Sequence, residues 1–309
     1  MRVLVTNIMM LKEQKRFEEV LSARGVECDF PQVAQYMKEE ELLPLLGDYD
    51  GWLAGDDEIT RNVLLKALPK LKVISKWGTG IDSIDQKACA ELGVKLFNSP
   101  GAFRDTVSEV AMAYIIDLSR QLSFIDRSVR LGTWPKPKGV ALADKQLGII
   151  GFGAIGQGLA EKALAFRMKV KAFDPYFQEK ANPAVRGVTF EELLKTSDYI
   201  CIACNMTKEN RHLIDKAAFE KMKQGVYLVN VARGPLVDEK ALIEALESRK
   251  VAGAGLDVFE IEPLRDSPLL QMDQVILGSH NANNTAEAIE AVHKNTLINL
   301  FHTLGIKYS

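Results

Sequence analysis

Short apolar runs alternate with amphipathic segments of helical length along nearly the whole chain, and they do so in two series. The first contains MRVLVTN at the start, then KEQKRFEEVLSARG, VECDF, YDGWLAG, LKVISKWG and VKLFNSP. The second begins near residue 145 with QLGIIGFG and continues through VKAFD, VTF, YICIA, GVYLVNVA, VAGAGLDVF and QVILGSH. Strands separated by helices predict parallel sheets with helices on both faces, so the chain reads as two α/β domains. Its 309 residues are long for one hydrophobic core, and 47% hydrophobic content is enough to fill two. Between the series, TVSEVAMAYIIDLSRQLSFIDRSVRLG gives roughly 27 residues of helical periodicity, which suit a bridge between lobes or a face for a second subunit. The segment TAEAIEAVHKNTLINLFHTLG, after the last strand, also reads as a helix and is expected to return to the first lobe.

Charge and composition narrow the function classes. A formal net charge of −2, with basic residues scattered, offers no electrostatic footprint for nucleic acid. No run approaches the ~20 apolar residues that span a bilayer, and the apolar start lacks the pattern of a secretory signal. A soluble, cytoplasmic protein is expected, with neither nucleic acid nor membrane as partner. Cys201 and Cys204 form a CxxC within YICIAC, with no second pair to complete a zinc site, so they read as core residues and no metal is expected.

The segment LGIIGFGAIGQGLAEKALAF carries Gly151, Gly153 and Gly156 in GxGxxG spacing between an apolar strand and a helix. The first glycine permits the tight turn, the second lets the backbone approach a pyrophosphate, and the third allows close helix-to-strand packing. The free N–H groups of the helix start, at Ala154 and Ile155, then face the phosphates. Asp174 ends the next strand, where an acid is placed to bind both ribose hydroxyls and repel the extra phosphate of NADP. NAD is the expected cofactor.

Three polar residues follow three successive strands of the second series: Arg233, Glu262 and His280. Ligands of doubly wound sheets bind outside the carboxyl ends of the strands. Oxidising a hydroxy acid needs a base for the hydroxyl proton, and His280 suits it. Glu262 beside it would orient the ring and favour the imidazolium, while Arg233 would hold a substrate carboxylate through paired hydrogen bonds.

With these residues in view, the chain resembles the D-isomer-specific 2-hydroxyacid dehydrogenase family, in particular its phosphoglycerate dehydrogenase-like members. The resemblance covers most of the chain and rests on WGTGIDSID (77–85), NSPG (98–101), GIIGFGAIG (148–156), Asp174, LVNVARGPLVDE (228–239) and GLDVFEIEP (255–263). It implies a flavodoxin-like substrate or catalytic domain (1–99 with 283–309) and a Rossmann NAD-binding domain (100–282), with the active site between them. It also implies a homodimer built through the second lobe. The family's Arg, Glu and His fall on Arg233, Glu262 and His280. Gly78, Thr79 and Gly80 are implied to bind the substrate carboxylate through backbone N–H groups. Asp257 is implied near the nicotinamide carboxamide, Val231, Ala232 and Arg233 along the nicotinamide face, and Val107 near the cofactor.

The substrate implied is a small 2-hydroxy or 2-oxo acid. Lys76 lies where phosphoglycerate dehydrogenases place an arginine, so a second anionic group is expected there and 3-phosphoglycerate is the first candidate. Glyoxylate or hydroxypyruvate reduction is the alternative, and an NAD(H)-sensing corepressor is the alternative of another class. A chain that begins and ends near the fold's limits is expected to lack the appended segments of such sensors and the regulatory domains of longer relatives. The pattern departs from the family at Ser279-His280-Asn281-Ala282-Asn283-Asn284, where Pro-His is usual, and at Asn205, where Pro is usual.

Overall fold

A computed structural model describes residues 1–178 and 182–307. The chain divides into two compact units, Met1–Ala102 together with the segment from Thr285 onward, and Phe103–Asn284.

The first unit holds five parallel strands, β1 (Arg2–Val5), β2 (Glu27–Asp29), β3 (Gly51–Ala54), β4 (Val73–Lys76) and β5 (Lys95–Phe97). Their order is β2-β1-β3-β4-β5, the flavodoxin-like doubly wound order. The central strands β3 and β4 are buried along their whole length, as a sheet covered on both faces requires. One face packs Leu4, Trp52 and Ile74 with Val63, Leu64 and Ile84. The other takes the helix Ala286–Leu304, whose contacts are chiefly with β3 and β4. Gly51 is where that helix comes closest, since a Cβ there would lie 2.5 Å from Leu300.

The second unit holds β6 (Gln146–Ile150), β7 (Lys169–Phe173), β8 (Val185–Gly187), β9 (Tyr199–Ile202), β10 (Val226–Asn230), β11 (Val251–Leu256) and β12 (Val275–Leu277). All pairs are parallel and the order is β12-β11-β10-β9-β6-β7-β8. The direction of winding reverses between β6 and β9, which puts the switch point beside the glycine loop. Helix starts after the strands are capped by side chains: Thr189 accepts from the Glu192 amide, Asp215 from Ala218 and Asp238 from Ala241. Each such cap is worth ~1 kcal/mol.

Two local expectations change. The 27-residue helical segment is two helices, Arg104–Arg120 and Leu122–Arg130, broken at Gln121 with φ 56°. The Asp117 carboxylate accepts the Ser123 amide at 2.9 Å and also its hydroxyl, and so caps the second helix in place of a continuing backbone ladder. The strand expected at VTF lies three residues earlier, at β8, because the Thr189 hydroxyl starts the helix Phe190–Thr196. Cys201 is buried in β9 and Cys204 half-buried beyond it, both as free thiols. Burial pushes the Cys204 thiol up to about 11, so it stays protonated and inert near neutrality.

Candidate active site and dinucleotide loop

Gly151 leaves β6 with φ +93°, and a Cβ there would meet the Cys204 backbone at 2.5 Å. The turn after β9 therefore closes against the glycine loop, and only a residue without a side chain fits. A Cβ on Gly156 would lie 2.2 Å from the Gly151 carbonyl oxygen, so the helix Ala154–Ala165 starts hard against the strand it follows. Gly153 differs. A Cβ there would meet nothing within 4 Å, and as N-cap it offers no side chain to the amides of Ala154 and Ile155. Open space in front of uncapped helix N–H groups suits a diphosphate.

Asp174, just past β7, accepts the Phe152 amide at 2.7 Å on one oxygen and the Tyr176 amide at 2.8 Å on the other. These bonds aim the carboxylate and leave each oxygen a lone pair for a hydroxyl. Val107 is buried in the helix 104–120, whose next residue, Ser108, would lie 2.8 Å from a Cβ on Gly158. The residues thus fit a dinucleotide.

At the carboxyl ends of β10, β11 and β12 stand Arg233, Glu262 and His280. His280 Nδ1 lies 2.8 Å from Glu262 Oε2, and the other Glu262 oxygen accepts the Phe259 amide at 3.0 Å. Glu262 is therefore held at both ends. His280 has φ 54°, a left-handed backbone that a non-glycine residue adopts only under constraint. Asp257 supplies the constraint. Its carbonyl accepts the His280 amide at 2.7 Å, and its carboxylate accepts the amides of Asn281 and Ala282 at 3.2 and 3.0 Å.

Tyr114 donates its hydroxyl to the same carboxylate at 3.4 Å. That contact and the burial around it push the phenol far above its ordinary value, burial being the larger cause. Expected near a nicotinamide carboxamide, Asp257 here has both carboxylate oxygens engaged in shaping the His280 loop.

Arg233 follows β10 directly, half-buried, with Nη1 on the Ala232 carbonyl at 2.8 Å. Val231 and Ala232 before it are buried. Sequence reasoning missed Asn230, which is buried and bridges this turn: its amide donates to the Arg233 carbonyl at 2.9 Å and its oxygen accepts the Ala232 amide at 3.0 Å. An asparagine closing an apolar strand was the available signal. A second histidine–glutamate pair was also missed, with His212 Nε2 hydrogen-bonded to Glu260.

In the first unit, the turn Gly78-Thr79-Gly80 follows β4, with Gly78 at φ +106°. The Gly78 carbonyl accepts the Ser99 amide at 2.8 Å, the Thr79 hydroxyl donates to the Ser99 carbonyl at 3.0 Å, and Asn98 donates to the Thr79 carbonyl at 2.6 Å. Among the described residues the amides of Thr79 and Gly80 donate to no protein acceptor. Free N–H groups on a carbonyl-anchored turn are of the kind that can receive an anion. Lys76, expected to meet a second anionic group, is buried and pairs with Asp56 at 2.8 Å.

Among the described residues no helix is long and apolar enough to cross a membrane. The family model for D-isomer specific 2-hydroxyacid dehydrogenase, NAD binding domain, matches residues 112–282. The hydroxypyruvate reductase of Thermotoga maritima is 38% identical over 278 residues, 88% of this chain and 90% of that protein. A D-3-phosphoglycerate dehydrogenase of Methanocaldococcus jannaschii is 39% identical over 267 residues, 84% of this chain but only 51% of that protein, so the chain spans about half its length. Among solved structures, the D-lactate dehydrogenase of Aquifex aeolicus complexed with NAD and lactic acid superposes with a TM-score of 0.87 at 29% identity, covering 98% of this chain and 96% of that one. Glycine loop, strand order and these matches agree: the chain belongs to the D-isomer specific 2-hydroxyacid dehydrogenase family, with NAD as cofactor and the CH–OH group of 2-hydroxy acids as the site of oxidation or reduction.

Proposed function

We propose that the protein reduces a small 2-oxo acid carrying a single negative charge, of the hydroxypyruvate or glyoxylate type, with His280 as the proton donor. The observation that carries the chemistry is the His280–Glu262 pair. A carboxylate accepting at Nδ1 assigns the ring proton to that nitrogen and leaves Nε2 as the working atom. The imidazolium then gives a proton to the 2-oxo oxygen in reduction, and the neutral ring takes it back from the hydroxyl in oxidation. Glu262 stabilises the charged form at each turnover.

Arg233 is assigned the substrate carboxylate and the 2-oxo oxygen, which its planar donors polarise as negative charge develops. The free amides of the 78–80 turn are assigned the carboxylate as well. Gly151 and Gly153, with the amides of Ala154, Ile155 and Gly156, are assigned the pyrophosphate, and Asp174 the adenosine ribose. Val107, Val231, Ala232 and Asp257 are assigned the surroundings of the cofactor. Bound NAD supplies one thing the chain lacks, a hydride exchanged with C2 of the substrate.

The choice of a singly charged substrate is supported by Lys76. Its ammonium is matched by Asp56, and a second anion reaching it would have to break that pair.

A homodimer is supported by the helix Leu122–Arg130, which is amphipathic yet has no buried residue, and which continues into exposed Leu131 and Trp134. Four free thiols suit the reducing cytoplasm.

The test is NADH oxidation followed with hydroxypyruvate, glyoxylate, pyruvate, 2-oxoglutarate and 3-phosphohydroxypyruvate. The highest kcat/KM is expected for hydroxypyruvate or glyoxylate. A higher value for the phosphorylated acid would overturn the substrate reading, and NADH binding with no turnover of any acid would overturn the catalytic one.

A further inference from the structure

The helix 286–304 holds the ends of β4 and β5 at three places. Thr296 accepts the Ser75 hydroxyl on its carbonyl at 2.9 Å, and Asn295 donates to the Ser99 hydroxyl at 2.8 Å and to the Asn98 carbonyl at 3.2 Å. His293, 1% exposed, accepts the Trp77 indole N–H on Nδ1 at 3.0 Å. Trp77 is the residue between β4 and Gly78, with its own amide on the Ala54 carbonyl at 2.9 Å.

The chemistry of this last bond is one-directional. An indole nitrogen only donates, so Nδ1 of His293 must be unprotonated and the neutral ring carries its proton on Nε2. Nε2 has no hydrogen-bond partner among the described residues, and the nearest carboxylate oxygen, on Glu13, is 3.8 Å away. Protonating His293 would put a second donor against the indole N–H and destroy the bond.

The surroundings resist that protonation. Phe17 lies over the ring at 4.8 Å between centroids, and Trp77 is tilted against it at 5.8 Å. The charged groups facing it are Glu13 and Arg16 from the start of the helix Gln14–Ser22 and Glu290 from its own helix. Burial is the largest influence and lowers its pKa, the two carboxylates raise it, Arg16 lowers it, and the outcome is below the ordinary value.

Glu13, Glu290 and His293 also lie within 4.8 Å of one another, as metal ligands do. Arg16, however, already bridges the carboxylates, with Nη1 2.7 Å from Glu13 and its two terminal nitrogens 2.5 and 2.6 Å from Glu290. The tautomer set by Trp77 leaves no lone pair on Nε2, so the cluster is better read as a proton-sensitive clamp.

We propose that His293 is a positioning residue for the substrate-carboxylate turn: as a neutral ring it anchors Trp77 and thereby the free amides of Thr79 and Gly80, and its protonation in mild acid releases them, weakening substrate binding and leaving the hydride step intact. This rests on the reading of the 78–80 turn as the carboxylate site.

The experiment measures KM, kcat and NADH affinity between pH 5 and pH 8 for the wild type, His293→Gln and His293→Phe. It also follows the Trp77 indole N–H signal by nitrogen-15 NMR. In the wild type KM is expected to rise on acidification together with a shift of the indole signal. Glutamine keeps an acceptor at every pH, so His293→Gln should stay within about threefold of wild-type KM at pH 8 and lose the acid rise. Phenylalanine keeps the packing but not the acceptor, so KM should be raised about tenfold at all pH values, with kcat and NADH affinity nearly unchanged.

An acid rise that persists in His293→Gln, or an indole signal indifferent to pH, would overturn the role of His293. An indole signal that shifts while KM stays constant would overturn it differently, by removing the premise that this turn binds substrate.

Discussion

At His280 the local backbone is unfavourable and the chemistry depends on it. A left-handed φ of 54° costs ~1–3 kcal/mol, offset here by the three amides of residues 280–282 that end on Asp257. The ring is thereby delivered to Glu262 through Nδ1. Replacing His280 by Ala is expected to lower kcat by about 10²–10⁴-fold while NADH affinity is kept, as stopped-flow binding beside steady-state turnover would show. Near-normal turnover would remove His280 from the proton path. Asp174 is a separable case, since its carboxylate belongs to the cofactor side. Asp174→Ala should weaken NADH by about tenfold or more and narrow its preference over NADPH, measured as the ratio of the two kcat/KM values.

Among elements, the strand–loop–helix from β6 to the helix 154–165 separates stability from binding at neighbouring glycines. At Gly151 a Cβ would meet backbone at 2.5 Å under a positive φ, whereas at Gly153 it would enter open space. Gly151→Ala is therefore expected to cost ~2 kcal/mol or more, read as a fall in Tm. Gly153→Ala should leave Tm nearly unchanged and weaken NADH by about tenfold, because the added methyl fills the approach to the helix amides. Equal losses of stability in both variants would count against the open cradle. The β6 loop was legible because each glycine has a local job at fixed spacing. The break at Gln121 was not, because helical periodicity runs on through it and the Asp117–Ser123 bonds that form it carry no periodic signal.

For the whole molecule, the homodimer proposal is tested at the exposed apolar residues of 122–134. Leu131 is 82% exposed and Trp134 77%, adjacent in sequence to a helix with nothing buried, which is costly unless another surface covers it. Sedimentation of the wild type is expected to give twice the 34.3 kDa chain mass, and the double variant Leu131→Asp with Trp134→Asp to give one chain. A monomeric wild type would end the homodimer reading.

The alternation of strands and helices, the glycine loop, Asp174 and the positions of Arg233, Glu262 and His280 after their strands were all readable from the chain itself. Each depends on residues close in sequence: the period of an apolar run, the spacing of glycines, a polar residue at a strand's end. Tertiary structure alone decided the pairings. It gave Glu260 to His212 and matched Lys76 with Asp56. It also joined Trp77 to His293 across 216 residues. Such contacts are set by how strands and helices stack, and a side chain's partner across that distance leaves no periodic trace in the sequence.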